Sequence, residues 1–350
     1  MADYSVIKVN AGKPYEVLVG RGLLNDVGEL IKEKCRADRI AVISDDTVYS
    51  LYGKTVENSL VKCGFKTVSF VFPHGEKSKN LETFGKAISF LAEKGLSRSD
   101  AVAALGGGVV GDLAGFLSAT YLRGIGYFQI PTTLLAQIDS SVGGKTAVDI
   151  KEGKNLVGAF KQPERVIIDA DVLSTLPEEI FKEGMGEAVK YAFLDKKIYD
   201  LMQSEYKAEE LISLCVRYKA EIVEKDEFET GKRKLLNLGH TVAHGIEKLS
   251  GYGLPHGKAV ALGLKSCVYG AVKRNSIDKK TGEELIFFIE KNTAAGDIPF
   301  KLKDIIGQAV YDKKRSGDSI SIAEFKGVGK VAVTETEMKN LGEYFGESGI

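Results

Sequence analysis

The stretch DAVAALGGGVVGD, residues Asp100–Asp112, decides how we interpret the fold. Its first half, Asp100–Leu105, is a short apolar run of the length typical of a buried strand. Three glycines, Gly106–Gly108, follow at once, and Leu113–Thr120 continues as a predicted helix. Glycines between a strand and a helix let the backbone approach a bound anion, which the helix N-terminus stabilises. The stretch predicts a nucleotide-binding loop or, without a ligand, a tight strand–helix turn.

Two features depart from the usual dinucleotide fingerprint. The loop follows the fourth or fifth predicted strand, and no acidic residue lies about 20 positions further on to meet a ribose. Asp45, which ends the predicted strand Arg39–Ser44, is an alternative acid, because open α/β sheets bind ligands at the carboxyl ends of their strands. We therefore expect a nucleotide in a non-standard version of the fold.

Apolar runs and amphipathic segments alternate around this loop through the first half of the chain. Short runs rich in β-branched side chains predict strands at Ser5–Val9, Tyr15–Val19, Arg39–Ser44, Phe65–Phe72, Asp100–Leu105, Tyr127–Ile130 and Arg165–Ile168. Apolar residues three and four positions apart predict helices at Leu23–Lys34, Thr47–Lys62 and Asn80–Lys94. This alternation favours a mainly parallel sheet with helices on both faces.

The pattern changes between residues 170 and 178. Beyond that point helices are predicted at Pro177–Phe193, Tyr199–Asp226, Asn237–Ser250, Lys258–Arg274, Gly282–Asn292 and Leu302–Asp312, with strands only at Ser319–Ala323 and Lys330–Val333. The predicted fold class is therefore α/β, with a Rossmann-like domain over residues 1–175 and a mainly helical domain over residues 176–350.

Composition excludes several classes of protein. The 350 residues are 44% hydrophobic and 27% charged, which is ordinary globular usage, and 48 basic residues balance 48 acidic ones. A neutral chain has no global basic field for nucleic acid. No apolar run approaches the roughly 20 residues of a membrane span, and the acidic, weakly apolar start MADYSVIKVN leads us to expect no secretory signal. The four cysteines form no CxxC motif, so we expect reduced thiols in a cytoplasmic protein.

Three of the four histidines fall within 17 residues. His240 and His244 are four apart on a predicted helix, so they face the same way at a spacing that metal ligands use. His256 follows a turn, and Glu187 lies among small residues on an upstream helix. Spacing alone selects His240, His244 and one further ligand, either His256 or Glu187. The alternative is that these histidines cap or pack the helices.

Several basic residues could bind an anion. Arg123, Lys145 and Lys154 lie beside glycines, Lys219 and Arg233 lie near the histidine cluster, and the run Lys313-Lys314-Arg315 comes late in the chain. Such charges usually belong to a solvated surface. Those beside glycine, serine or asparagine in apolar surroundings are candidates for binding an anion.

Taken together, these segments resemble the 3-dehydroquinate synthase family of sugar-phosphate cyclases over nearly the whole chain. The motifs that carry the resemblance are Pro73–Lys79, Gly106–Asp112, Tyr121–Gly124, Pro131–Ser141, Gly143–Thr146, Gly153–Asn155, Glu187–Lys190, Leu236–His244 and Asp312–Lys314. The resemblance implies the fold of that family, with NAD on the N-terminal domain and a metal and substrate on the C-terminal domain.

The resemblance also implies roles for individual residues. NAD would contact Asp45, Glu76, Lys79, Gly107, Gly108, Asp112, Thr132, Thr133, Asp139, Lys145 and Lys154, with Thr175 and Leu176 on the nicotinamide side. Zinc or cobalt would be held by Glu187, His240 and His256, and His244 would face the substrate instead. The substrate's phosphate and carboxylate would be held by Lys145, Asn155, Arg233, Asn237 and Lys314, or by Lys313 in place of Lys314. Asp139, Lys190 and Lys219 would contact its hydroxyls, and Arg123 would reach the site of a second subunit in a homodimer.

The implied activity is that of a lyase of the shikimate pathway, which leads to chorismate and the aromatic amino acids. It converts 3-deoxy-arabino-heptulosonate 7-phosphate to 3-dehydroquinate and phosphate by transient oxidation with NAD, β-elimination of phosphate, re-reduction and aldol closure. Three alternatives remain: another sugar-phosphate cyclase, an NAD- and metal-dependent polyol dehydrogenase, and a non-catalytic binding protein descended from the enzyme.

Overall fold

The computed structural model describes residues 3–293, 295–309, 315–316 and 318–348. Its strands are β1 Tyr4–Val9, β2 Tyr15–Gly20, β3 Arg39–Asp45, β4 Lys66–Phe72, β5 Ala101–Gly106, β6 Gly126–Pro131, β7 Lys145–Ile150, β8 Gly153–Phe160, β9 Arg165–Asp169, β10 Arg315–Ser316, β11 Ser319–Phe325 and β12 Val331–Glu337. All nine predicted strands are present, with ends that differ by a few residues.

One sheet of the described residues contains seven strands in the order β1-β2-β9-β6-β5-β3-β4. The β1–β2 pair is antiparallel and every other pair in this sheet is parallel. Read from β4 to β9, the parallel part has the doubly wound order 2-1-3-4-5, which reverses direction between β3 and β5. A ligand crevice is expected at the carboxyl ends of those two strands, where the glycine loop begins.

The helices follow the predicted pattern in most places. They are α1 Val27–Lys32, α2 Asp46–Val48, α3 Lys54–Lys62, α4 Leu81–Glu93, α5 Gly108–Thr120, α6 Glu178–Leu194, α7 Lys196–Met202, α8 Ala208–Lys225, α9 His240–Leu249, α10 His256–Lys273, α11 Lys279–Asn292 and α12 Leu302–Ala309. Apolar side chains cover both faces of the sheet, in two buried clusters. Among the described residues, no helix is long and apolar enough to cross a membrane.

Two predictions about elements need correction. The single helix predicted over Tyr199–Asp226 is two helices, α7 and α8, because the chain leaves helical geometry over residues 203–207. The strands β7 and β8 were not predicted at all. They form a separate antiparallel hairpin whose second strand has no buried residue, so it lacks the continuous apolar run of the parallel strands.

The chain divides into two compact units. The first contains Met1–Leu176 together with Ala208–Glu224, and the second contains Pro177–Lys207 and Lys225–Ile350. Most of α8 therefore belongs to the sheet-containing unit, whereas the predicted division at residue 175 placed α8 in the helical domain. Its contacts explain this, since Glu209 on α8 pairs with Arg21 at 3.0 Å. The second unit is mainly helical and carries the small sheet of β10, β11 and β12.

Candidate functional site

The glycine loop forms a close-fitting cradle at the carboxyl end of β5. A Cβ at Gly107 would lie 3.0 Å from Cγ2 of Thr133, and one at Gly108 would lie 3.2 Å from Oγ of Ser140. Gly108 is the first residue of α5, whose 13 residues give its N-terminus a full helix dipole. The loop therefore has bare backbone and a favourable field for an anionic group.

The neighbouring strand ends bring further predicted residues to the same edge of the sheet. Ser44 pairs with Leu105, so Asp45, the last residue of β3, lies beside the glycine loop. Burial raises the pKa of Asp45, although its carboxylate caps α2 by accepting from the Val48 amide at 2.8 Å. The Thr132 amide donates to the Gly106 carbonyl at 3.0 Å. The Thr132 hydroxyl is buried and has no hydrogen-bond partner among the described residues, so it is free to bind a ligand.

A buried lysine connects the glycine-loop helix with the hairpin. Lys79 donates to Asp112 Oδ2 and to Asn155 Oδ1, both at 2.6 Å, and its side chain is only 5% exposed. Glu76 lies 3.8 Å from Lys79 and 3.7 Å from Lys154. Burial raises the pKa of Asp112 and Glu76 and would lower that of Lys79, but the carboxylates outweigh it and raise the lysine pKa. Five residues predicted for cofactor or substrate thus meet within the first unit.

A second ion pair of the first unit joins α8 to the turn after β6. The Lys219 ammonium donates to the Asp139 carboxylate and, at 2.6 Å, to the Asp139 backbone carbonyl. Lys219 is buried, whereas Lys145 at the start of β7 is exposed. Gly143 and Gly144 precede Lys145 with φ angles of 97° and 70°, which only glycine adopts without cost. These two glycines therefore define the backbone conformation immediately before Lys145.

Arg123 stands on strained backbone. Leu122 and Arg123 have φ angles of 49° and 66°, in the left-handed region that non-glycine residues rarely occupy. Such strain persists where surrounding structure holds it, and here Arg98 Nε donates to the Leu122 carbonyl at 3.2 Å.

Thr175 and Leu176 lie at the end of a short 3-10 helix, Ala170–Thr175, that follows β9. The Thr175 hydroxyl contacts the Tyr52 hydroxyl.

In the second unit, three helices bring together a group of metal-ligand type. Glu187 on α6, His240 at the start of α9 and His256 at the start of α10 offer ligand atoms within 4.8 Å of one another. Nε2 of His240 and of His256 lie 3.3 and 3.2 Å from Glu187 Oε1. Two imidazoles and a carboxylate form a donor set typical of catalytic zinc sites, which keep a position open.

The pairing that spacing alone suggested is not observed. The ring centroids of His240 and His244 are 5.6 Å apart, but within the described ranges His244 is not part of the ligand group. Helical spacing places the two rings on one side of α9, whereas the ligands converge from three helices. The set implied by the family resemblance is the set that the structure brings together.

Two glycines allow this convergence. A Cβ at Gly186 would lie 2.1 Å from the Gly257 carbonyl oxygen, and a Cβ at Gly257 would lie 1.8 Å from the Glu183 carbonyl oxygen. No side chain fits at either position, so α6 and α10 approach backbone to backbone. Each glycine is the sequence neighbour of a ligand, Glu187 or His256. The small residues around Glu187 therefore set the distance between ligands on different helices.

The electrostatics of the ligand group are strongly coupled. Burial would raise the pKa of Glu187, but Lys190 at 2.5 Å and His240 hold it well below its usual range. Burial lowers the pKa of His240 to about 4, so its imidazole is neutral at pH 7. Burial also disfavours charged His256, but hydrogen bonds to Glu187 and Glu247 raise its pKa to about 10. The site combines a fixed negative charge with nitrogen donors, as a divalent cation requires.

A tight loop after α8 positions Arg233, one of the basic residues predicted to bind the substrate. Asp226 accepts from the backbone amides of Thr230, Gly231 and Arg233 at 2.9, 2.7 and 2.9 Å. Arg233 is only 2% exposed, and its guanidinium donates to the Glu227 carbonyl. Asn237 donates to the Glu229 carboxylate. Asp226 and Glu229 were not predicted as site residues; the signal for a loop here was Asp226 together with Gly231, since aspartate and glycine are common in turns.

Lys190 is the third buried lysine of the predicted set, after Lys79 and Lys219. It stands one helical turn after Glu187 on α6, and both side chains are 2% exposed. The remaining predicted lysine, Lys314, and its alternative Lys313 lie outside the described residues. The structure therefore groups Lys190 with the metal-type ligands and Arg233 with Asn237, each within the second unit.

Comparison with known proteins gives a consistent result. Residues 69–183 match the family described as 3-dehydroquinate synthase N-terminal, and residues 184–315 match 3-dehydroquinate synthase C-terminal. The 3-dehydroquinate synthase of Streptococcus suis is 41% identical over 342 residues, covering 95% of this chain and 96% of that protein. That of Clostridium kluyveri is 41% identical over 344 residues, covering 94% of each chain.

Solved structures agree with the sequence matches. A 2-deoxy-scyllo-inosose synthase complexed with carbaglucose-6-phosphate, NAD+ and Co2+ has a TM-score of 0.86 and 27% identity, and it covers 97% of this chain and 98% of its own. The family profiles span most of the chain, and the curated relatives exceed 40% identity over nearly all of it. This chain belongs to the 3-dehydroquinate synthase family.

Proposed function

We propose that this protein is a 3-dehydroquinate synthase, a carbon–oxygen lyase that depends on NAD and a divalent metal. Its substrate would be 3-deoxy-arabino-heptulosonate 7-phosphate and its products 3-dehydroquinate and phosphate. The observation that carries the proposal is the 41% identity to 3-dehydroquinate synthases over 95% of the chain. The geometry of both units supports it, because each unit holds the residue types that one part of this chemistry needs.

NAD fits the carboxyl edge of the large sheet. The bare Gly107–Gly108 backbone at the α5 N-terminus suits a pyrophosphate, and the unpartnered Thr132 hydroxyl can bind a polar group of the cofactor. Asp45 at the adjacent strand end suits a ribose hydroxyl. The inosose synthase that resembles this chain was solved with NAD+. When bound, NAD supplies a hydride acceptor that is restored within the same turnover.

A divalent cation fits Glu187, His240 and His256 in the second unit. Their donor atoms lie within 4.8 Å of one another, and the set leaves room for a substrate oxygen in a fourth position. Both zinc and cobalt accept such nitrogen and oxygen ligands, so the donor set does not choose between them. When bound, the metal supplies a Lewis acid for a substrate hydroxyl.

The chain's own side chains would bind and orient the substrate. Lys190 is a buried cation beside the ligand group, and Lys219 is a buried cation oriented by Asp139; both would contact hydroxyls of the substrate. Arg233 and Asn237 would hold anionic groups of the substrate, with Lys145, Asn155 and Lys314 contributing as well. His244 would carry a proton near the substrate. These assignments explain why a neutral protein keeps buried cations.

We also propose the larger-scale assignments. Residues 1–175 would act as the NAD-binding domain and residues 176–350 as the metal- and substrate-binding domain, with α8 returning to the first unit. The protein would be a cytoplasmic homodimer. Arg123 would serve the second subunit: it is exposed, and it lies on the strained backbone of Leu122–Arg123, where strain of this kind often marks a functional residue.

One assay tests the activity. Phosphate release from 3-deoxy-arabino-heptulosonate 7-phosphate is followed with sub-stoichiometric NAD, with and without zinc, while NADH absorbance is recorded. We expect many turnovers per NAD, loss of activity on chelation, recovery with zinc and no build-up of NADH. NADH accumulating with a simple polyol, without phosphate release, would instead identify a dehydrogenase. Turnover of a different sugar phosphate alone would identify another cyclase.

A further inference from the structure

We propose that Glu247 is a positioning residue for His256, and that its carboxylate determines how tightly the second unit holds a divalent cation. The inference rests on the proposed metal site and adds to it a residue outside the ligand group. Glu247 acts through the imidazole ring of His256, with no contact to the cation itself.

The geometry places Glu247 and Glu187 at the two nitrogens of one ring. Glu247 Oε1 is 3.1 Å from His256 Nδ1, and Glu187 Oε1 is 3.2 Å from His256 Nε2. An ionised carboxylate can only accept, so in the ring without a cation each nitrogen can donate to the carboxylate beside it. A bound cation would take the place of the hydrogen on Nε2, on the side where Glu187 and His240 converge, and Glu247 would keep the remaining hydrogen on Nδ1. Glu247 therefore selects the tautomer that a ligand needs.

His256 depends on such a partner more than His240 does. The His240 side chain is 12% exposed, and its Nδ1 bonds the Leu238 backbone carbonyl at 3.2 Å. The His256 side chain is 35% exposed, so fewer neighbours restrict its rotation. A carboxylate partner fixes a ligating ring and also raises its basicity, which a neutral carbonyl does less strongly. Of the two histidine ligands, His256 is thus the one whose orientation and basicity depend on the charged side chain at its Nδ1.

Packing alone does not account for a carboxylate at this position. The Glu247 side chain is only 8% exposed, and burying a charge is costly unless it is paired. An apolar side chain of similar volume would fill the same space without that cost. Glu247 stands seven residues after His240 on α9, which is two turns along the same helix face. The helix therefore carries one ligand and the partner of a second ligand on one side.

The test compares metal affinity among variants of the full chain. E247M removes the acceptor and retains the bulk of the side chain, whereas E247Q keeps an acceptor and removes the charge. E290Q is the matched control, because Glu290 pairs with buried Lys265 at 2.6 Å in the same unit and contacts no ligand. Zn2+ affinity is measured by competition with a chelator, and bound Co2+ is examined by its visible absorption spectrum.

We expect E247M to weaken Zn2+ binding by about 10- to 100-fold, the usual effect of losing such a partner, and to alter the Co2+ spectrum. E247Q should lose less, and E290Q should bind as the wild type does even if it unfolds more easily. A Zn2+ affinity of E247M within about twofold of the wild type overturns the inference. If E247M does not fold, E247Q decides by the same twofold limit. A wild-type chain that binds no Zn2+ overturns the proposed metal site as well.

Discussion

Replacing Gly257 by alanine tests the claim that helix contact sets the ligand geometry. The added Cβ would lie 1.8 Å from the Glu183 carbonyl oxygen, whereas ordinary contacts begin at 3.4 Å, so the two helices must separate by 3.4 − 1.8 = 1.6 Å at this point. The three atoms nearest to that Cβ are all backbone atoms of Glu183, so no side-chain rotation relieves the clash. His256 is adjacent to the substitution, and Glu187 is one turn beyond Glu183.

The expected magnitudes follow from this displacement. Metal sites tolerate ligand shifts of about 0.2 Å, so we expect G257A to weaken Zn2+ binding by at least tenfold, or about 1.4 kcal/mol. Overpacking should also lower the free energy of unfolding by about 1–3 kcal/mol. Urea denaturation measures the stability, and chelator competition measures the affinity. The control is G307A on α12, where a Cβ meets no atom within 4 Å. G307A should be neutral or more stable by up to about 1 kcal/mol. Wild-type stability and Zn2+ affinity in G257A would refute the reasoning.

Three further predictions concern charged residues. E187Q should lower kcat by roughly 1000-fold and abolish stoichiometric zinc, because a catalytic metal contributes several kcal/mol, while E178Q on the same helix should change neither. D226A should raise KM for the substrate by about tenfold, because it frees the backbone that positions Arg233, with a loss of about 1–3 kcal/mol in stability. K219M should lower kcat/KM and cost about 1–3 kcal/mol in thermal unfolding, because it removes the ammonium that pairs with the Asp139 carboxylate.

The Asp226 carboxylate should also make the free energy of unfolding depend on pH. Burial would raise its pKa, but hydrogen bonds from three backbone amides and one hydroxyl lower it below the ordinary value of 3.8. The unfolded chain therefore takes up a proton at this carboxyl before the folded chain does. The stabilisation is fully present above pH 3.8 and is lost as the pH falls through the folded pKa. Acid unfolding should be less steep in D226A than in the wild type, and equal slopes would contradict this.

The parallel sheet could be predicted from the sequence because its strands are buried on both faces. Ala101–Gly106 and Arg165–Asp169 are almost wholly buried, so their apolar runs are continuous and distinct from the amphipathic helices beside them. The hairpin Lys145–Ile150 and Gly153–Phe160 was not predicted because its second strand has no buried residue and carries polar residues. The break between Lys196–Met202 and Ala208–Lys225 contains neither proline nor glycine, so local propensity gave no signal for it.

By itself, the sequence determined the alternation of strands and helices, the glycine loop and the identity of the chemically competent residues. These properties depend on local patterns: the spacing of apolar residues, the glycines between a strand and a helix, and the presence of histidine and carboxylate side chains. Tertiary structure decided which residues meet. It excluded His244 from the ligand group and joined Glu187, His240 and His256 from three helices. It also placed Glu247 behind His256. Ligand convergence depends on helix crossing distances, and contacts between backbones such as that at Gly257 set those distances only in the folded chain.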